Sequence, residues 1–177
     1  SFTRIVVVFH FLRTALGTQT TPPNQVIVGL ALFITIAIMS PVFTEVNTKA
    51  IKPYTAGKIK QEQAIEKGLS PLREFMLKQT REKDLKLFMD LNKKSADDIK
   101  DYDDIPITIV IPAFIISELR AAFIIGFLIY LPFIVIDMVV ASTLMSMGMM
   151  MLPPTTISLP FKLLLFVLAD GWNLVIG

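Results

Sequence analysis

The chain has no cysteine and one histidine among its 177 residues. Without cysteine there is no disulfide, no thiolate chemistry and no cysteine metal site. His10 cannot build a histidine metal site alone, so neither a metal nor another cofactor is expected. Charge is scarce too: Asp, Glu, Lys and Arg make up 18% of the residues, with a formal net charge of +2. That balance does not favour nucleic acid as a partner. No nucleophile–base set, phosphate-cradling loop or metal constellation is found, so the sequence does not read as an enzyme. What is abundant is apolar side chain. Hydrophobic residues make up 53% of the chain and the mean hydropathy is +0.62, above the usual content of a soluble domain. The chain opens at Ser1 and ends on an apolar run, so both ends are expected to be incomplete.

The charges are segregated. Of 32 charged residues, 25 lie between Phe43 and Ile105. The apolar runs outside that block have membrane lengths, since a span needs roughly 20 apolar residues. Val26 to Phe43 is 18 residues without a charge. Ile105 to Tyr130, Leu131 to Leu152 and Leu159 to Ile176 are further candidates, each holding one or two ionisable groups. Ile5 to Leu12 is too short to span and reads as the end of a longer helix. Residues 1–25 therefore read as an N-terminal helix and loop, 26–43 as a span, 44–104 as a charged soluble domain, and 105–177 as apolar hairpins. Arg4 and Arg13, with no acid before Val26, put the N-terminal segment on the cytoplasmic side and the soluble block on the periplasmic side.

Residues 44–104 hold 13 basic and 12 acidic residues and read as short helices. Gly57 to Lys67 is rich in helix formers, with Gly68 as a stop. Ser70-Pro71 is a start signal, an N-cap followed by proline. Thr80 is a further cap, and Ser95 to Asp98 fits a loose capping box. So small a block has little core of its own, which favours packing against copies of itself.

The ionisable residues of the apolar runs need partners or water. Glu118 and Arg120, two apart on a helix, point in different directions. Lys162 is the cation of the last segment, and Glu118 is its expected partner, within one chain or between neighbouring chains. The alternative is that these groups snorkel at membrane edges. Arg120, Asp137 and Asp170 are expected as buried polar groups. Asp137 reads either as a proton relay or as a structural hydrogen-bond acceptor, the latter being favoured.

Five of the nine methionines lie in Met145-Ser146-Met147-Gly148-Met149-Met150-Met151, followed by Leu152-Pro153-Pro154. Composition alone favours core filler. Yet Gly148 and the proline pair break helices, and flexible thioethers in a loop can deform and reclose around different contents. Pro106, Pro112, Pro132, Pro153, Pro154 and Pro160 punctuate the second half. Broken helices at membrane depth are tolerated where protein or water satisfies the freed backbone groups. The fold class expected is all-α: membrane-type helices and broken helical hairpins with a small inserted α-helical soluble domain.

Pro112-Ala-Phe-Ile-Ile-Ser-Glu-Leu-Arg-Ala-Ala-Phe-Ile-Ile-Gly126 resembles the signature of the FliP family of flagellar type III export-gate proteins. So do Leu131-Pro-Phe-Ile-Val-Ile-Asp137, Met147-Gly-Met-Met-Met-Leu-Pro-Pro154, Leu159-Pro-Phe-Lys162, Asp170-Gly-Trp172 and Thr21-Pro-Pro-Asn-Gln25. Ile124 departs from the family pattern, which has a polar residue there. The resemblance implies a core subunit of the export gate in the bacterial inner membrane at the flagellar basal body. Its partners would be copies of itself, FliQ-like and FliR-like subunits, membrane lipid and unfolded exported proteins. It also implies that Met147, Met149, Met150 and Met151 form the gasket of the closed pore, reversing the reading from composition. The competing readings are a virulence-type secretion homologue and a proton-coupled transporter using Asp137 or Glu118.

Overall fold

A computed structural model of the protein describes residues 1–93, 104–148 and 151–177. Among these the chain is helical, without strands. In order it forms α1 (Phe2–Ala15), α2 (Asn24–Val46), a π-helical turn (Asn47–Ile51), α3 (Lys52–Thr55), α4 (Gln61–Gln79), α5 (Glu82–Leu91), α6 (Ile107–Ser146), α7 (Pro154–Leu168) and α8 (Gly171–Ile176). The helices group into two units. One comprises residues 32–120 together with Ser1; the other comprises residues 2–31 and 121–177.

Two helices are long and apolar enough to cross a membrane. The first begins with α2, which covers the uncharged run Val26–Phe43 and continues through the π turn and α3 to Thr55. The second is α6. At 40 residues it is about 60 Å long, twice the roughly 30 Å of bilayer hydrocarbon. Neither has a polar stripe. Phe33, Ile36, Phe123, Phe127 and Val139 are all more than half exposed. A soluble helix would turn such side chains inward.

In the first unit, helix-breaking residues yield to packing. The signals at Gly68 and Ser70-Pro71 predict a stop and a new start, but α4 runs through them without interruption. Pro71 is buried inside the helix. A Cβ at Gly68 would lie 3.4 Å from the Ala50 side chain, an ordinary contact distance, so α4 packs against the π turn here. Thr80 does cap, but it caps the end of α4: its amide bonds the Leu77 carbonyl and its hydroxyl the Met76 carbonyl at 2.7 Å. Ser95–Asp98 lies outside the described residues.

Leu85 and Met89 of α5 pack with Ile105, Ile109, Val110 and Ala113, with Met76, Leu77 and Phe88 around them. The first turns of α6 thus belong to the core of the charged insert. That leaves 121–146, 26 residues, as the part of α6 in the second unit. The contact is sealed by a polar ring. Asp84, 7% exposed, accepts from Arg81 Nη2 at 2.8 Å, Arg81 Nε at 3.0 Å and the Ser117 hydroxyl at 2.6 Å. Ser117 in turn accepts from the Arg81 amide at 3.1 Å. Asp84 also lies in the first turn of α5, where a negative charge complements the helix dipole.

The second unit gathers α1, the start of α2, the rest of α6, α7 and α8 around Leu12, Ala15, Leu16, Phe133 and Phe166. Two glycines allow this closeness. A Cβ at Gly126 would fall 2.5 Å from the Phe11 ring, and one at Gly171 would fall 2.2 Å from Phe166. Trp172 then sets its ring edge-on to Phe166 and Phe9, at centroid distances of 5.3 and 6.1 Å.

The guanidinium of Arg81 holds the Asp84 carboxyl below its ordinary value, with help from the Ser117 hydroxyl and the charge of Arg120. A carboxylate depressed in the folded state stabilises the fold above its unfolded pKa of about 4. That contribution is lost as pH falls through the lower folded value. Denaturation of the detergent-solubilised protein from pH 7 down to pH 3 should therefore lose less stability with acid in Asp84→Asn than in wild type. Equal acid sensitivity would contradict this.

Candidate functional site: a buried ion pair behind the methionine-rich turn

The turn between α6 and α7 is where the apolar chain reverses. Gly148 supplies a left-handed backbone, φ 71°, just past the end of α6. Pro154 is the first residue of α7, where its missing N–H costs no helical bond. Met147 is 61% exposed and Met151 97% exposed. The exposure of these two is not that of core filler. Met149 and Met150 lie outside the described residues.

Behind the turn sits an ion pair. Lys162 Nζ donates to Asp137 Oδ2 at 2.8 Å, and the Ser158 hydroxyl donates to Asp137 Oδ1 at 2.7 Å. Lys162 is 1% exposed and Ser158 is fully buried, whereas the Asp137 side chain keeps 27% exposure. The register explains the meeting. Asp137 is nine residues before Ser146, the end of α6, and Lys162 is eight after Pro154, the start of α7. At 1.5 Å per residue both stand about 12–14 Å from the turn. Ser158 and Lys162 are four apart, so they share the face of α7 that meets Asp137. A Cβ at Gly17, past the end of α1, would lie 3.7 Å from Lys162 Nζ.

The expected site residues separate accordingly. Lys162 takes Asp137 as its carboxylate within the chain, not Glu118. Glu118 is itself buried, at 2% exposure, but on the part of α6 that belongs to the first unit. Arg120, expected among the buried polar groups, is exposed. Asp170, expected to be buried, is also exposed. It occupies the break between α7 and α8 with a left-handed backbone, φ 49°, and caps α8 by position only. Asp137 accepts hydrogen bonds from Ser158 and Lys162. Ser158 is absent from the residues singled out in the sequence; the signal that could have found it is its four-residue spacing from Lys162. Among the described residues no cluster of His, Asp or Glu could hold a metal.

Fold and site together define a class: an all-helical, membrane-associated protein whose apolar hairpin is held by an internal ion pair and ends in a methionine-rich turn. The FliP family model matches residues 1–177. The flagellar biosynthetic protein FliP of Bacillus subtilis strain 168 is 58% identical over 175 residues, covering 99% of this chain and 78% of that protein. Those of Pectobacterium carotovorum subsp. carotovorum and Aquifex aeolicus strain VF5 are 55% and 49% identical, covering 68% and 74% of their own lengths. The chain belongs to the FliP family.

The unequal burial of the two partners sets the order of mutational effects. Removing the carboxylate strands a buried ammonium, which typically costs about 3–5 kcal/mol. Removing the ammonium leaves a carboxylate that keeps the Ser158 bond and some water. Asp137→Ala should therefore destabilise the protein more than Lys162→Met in detergent unfolding. The reverse order would show that the pair is not held as described.

Proposed function

We propose that the chain is a core subunit of the flagellar type III export gate and forms part of the conduit for unfolded flagellar proteins. The observation that carries this reading is the family match over the whole chain, with relatives of flagellar name at 58% and 55% identity. The site is the bacterial inner membrane at the flagellar basal body. The partners are further copies of the chain and FliQ-like and FliR-like subunits. The N-terminal segment faces the cytoplasm and the charged insert faces the periplasm.

The mechanism is passive and structural. The hairpin of α6 and α7 is a strut, and the Asp137–Lys162 pair fixes its two arms at one height. The gasket is formed by Met147, Met149, Met150 and Met151. Unbranched thioethers suit a gasket because they close on one another by dispersion contacts. They also rearrange around a passing chain without breaking strong bonds. The gate does no covalent chemistry, and energy comes from other components. The exposed apolar faces of α2 and α6 are covered by lipid and by neighbouring subunits. With Asp137 engaged by Ser158 and Lys162, a transporter that cycles a proton on this carboxylate is disfavoured. The relatives' names likewise do not favour a virulence-type role.

The test uses a strain lacking the gene. It should be non-motile and regain motility with the wild-type gene. A variant with Met149, Met150 and Met151 replaced by Ala should still assemble but leak ions, read as membrane conductance. A deletion strain that stays motile would remove the flagellar reading. Unchanged conductance in the assembled variant would remove the gasket.

A further inference from the structure

We propose that the turn between α6 and α7 is a site of reversible oxidation, where a hydroperoxide converts Met145, Met147 and Met151 to sulfoxides ahead of the buried methionines and so opens the seal. The order of oxidation rests on the geometry of this chain alone. Its effect on the seal rests on the export-gate reading above.

Met145 stands in the last turn of α6, and Met147 and Met151 follow in the turn itself. All three are more than half exposed, Met151 almost completely. Met39 and Met89 are buried. The surroundings of the three are polar. Ser142, Thr143 and Ser146 are exposed before the turn, and Thr155 and Thr156 are exposed after it. The Thr143 hydroxyl donates to the Val139 carbonyl at 2.8 Å and the Ser146 hydroxyl to the Ser142 carbonyl at 2.9 Å. Both oxygens thus keep lone pairs for water. Met138 is exposed as well, but it lies eight residues before the end of α6, about 12 Å along the helix. Val135 and Val139 are exposed beside it, and lipid covers that surface.

The chemistry is that of a thioether with a peroxide. A sulfur lone pair attacks the outer oxygen of the hydroperoxide. The S–O bond forms as the O–O bond breaks. Sulfur is oxidised by two electrons and the peroxide is reduced by two. The proton on the transferred oxygen passes to the leaving oxygen, which departs as water from hydrogen peroxide or as an alcohol from an organic hydroperoxide. The oxidant must touch the sulfur, and it is polar. It therefore reaches sulfurs at a wet turn before sulfurs in a packed core or under lipid.

The product changes what the turn can do. A sulfoxide oxygen is a strong acceptor, and the group has no hydrogen to donate. Thioethers packed against one another offer it no donor, so it holds water instead. A seal made by dispersion contacts between thioethers is then wetted where it was dry. Sulfoxide reductases return the thioether, so the change is reversible.

The test treats native membranes carrying the assembled protein with hydrogen peroxide. Each methionine is followed by peptide mass spectrometry, and membrane conductance is read on the same samples. Met145, Met147 and Met151 should oxidise about tenfold faster than Met39 and Met89, with Met138 slower than the three. Conductance should rise as they oxidise and fall again after treatment with methionine sulfoxide reductases. Replacing Met145, Met147 and Met151 together by Leu removes the sulfurs and keeps apolar side chains of similar volume. In that variant the peroxide-dependent rise, measured from its own untreated value, should be at least about twofold smaller than in wild type. Equal oxidation rates at the turn and at Met39 and Met89 would overturn the proposal, as would Met138 oxidising as fast as the three. So would a rise in the Leu variant as large as that of wild type. Selective oxidation with flat conductance would overturn the opening of the seal. In that case a leak in the variant with Met149, Met150 and Met151 replaced by Ala leaves the gasket reading standing, and no leak there removes the gasket reading itself.

Discussion

The bond between the Lys162 ammonium and the Asp137 carboxylate sets the constraint that organises the second half of the chain. An ammonium exposed by only 1% has given up nearly all of its water. Such desolvation costs several kcal/mol, which attraction to one well-placed carboxylate recovers only with good geometry. Here the geometry is good: each Asp137 oxygen receives one donor, Lys162 on one and Ser158 on the other. The two arms of the α6–α7 hairpin therefore cannot slide by a turn without stranding a charge. An apolar interface of Leu, Ile, Val and Phe would resist such a slip far less, because one apolar contact substitutes readily for another.

The same logic explains why the apolar helices carry so few charges and why those few matter. Asp84, Arg81 and Ser117 tie the charged insert to the first turns of α6. Asp137, Ser158 and Lys162 tie α6 to α7. Each network specifies one register of a helix that is otherwise mostly apolar. Between them α6 serves two environments. Its start packs into the core formed with α5, and its remainder shows Phe123, Phe127 and Val139 outward. A helix twice as long as a bilayer is thick accommodates both roles.

Much of this is legible from residue order. The segregation of charge marks the insert, and the uncharged run Val26–Phe43 is covered by α2. Gly148 with Pro153-Pro154 marks the turn. What misleads is local punctuation read without its surroundings. Ser70-Pro71 has the chemistry of a helix start, yet α4 runs through it whole with Pro71 buried. Pro112 and Pro132 likewise sit inside α6, which runs unbroken from Ile107 to Ser146. Charge type alone points Lys162 to Glu118, whereas within the chain the α6–α7 hairpin brings it to Asp137. Asp137 is visible in the sequence, but its register with Lys162 emerges only once α6 is known to continue to Ser146.

The central claim is that Asp137 and Lys162 act as one energetic unit. A double-mutant cycle measures this most directly. Asp137→Ala, Lys162→Ala and the double replacement would be unfolded in the same detergent. The pair as described predicts that the double replacement is less destabilising than the sum of the two singles, by about 2 kcal/mol or more. Single costs that simply add would contradict it.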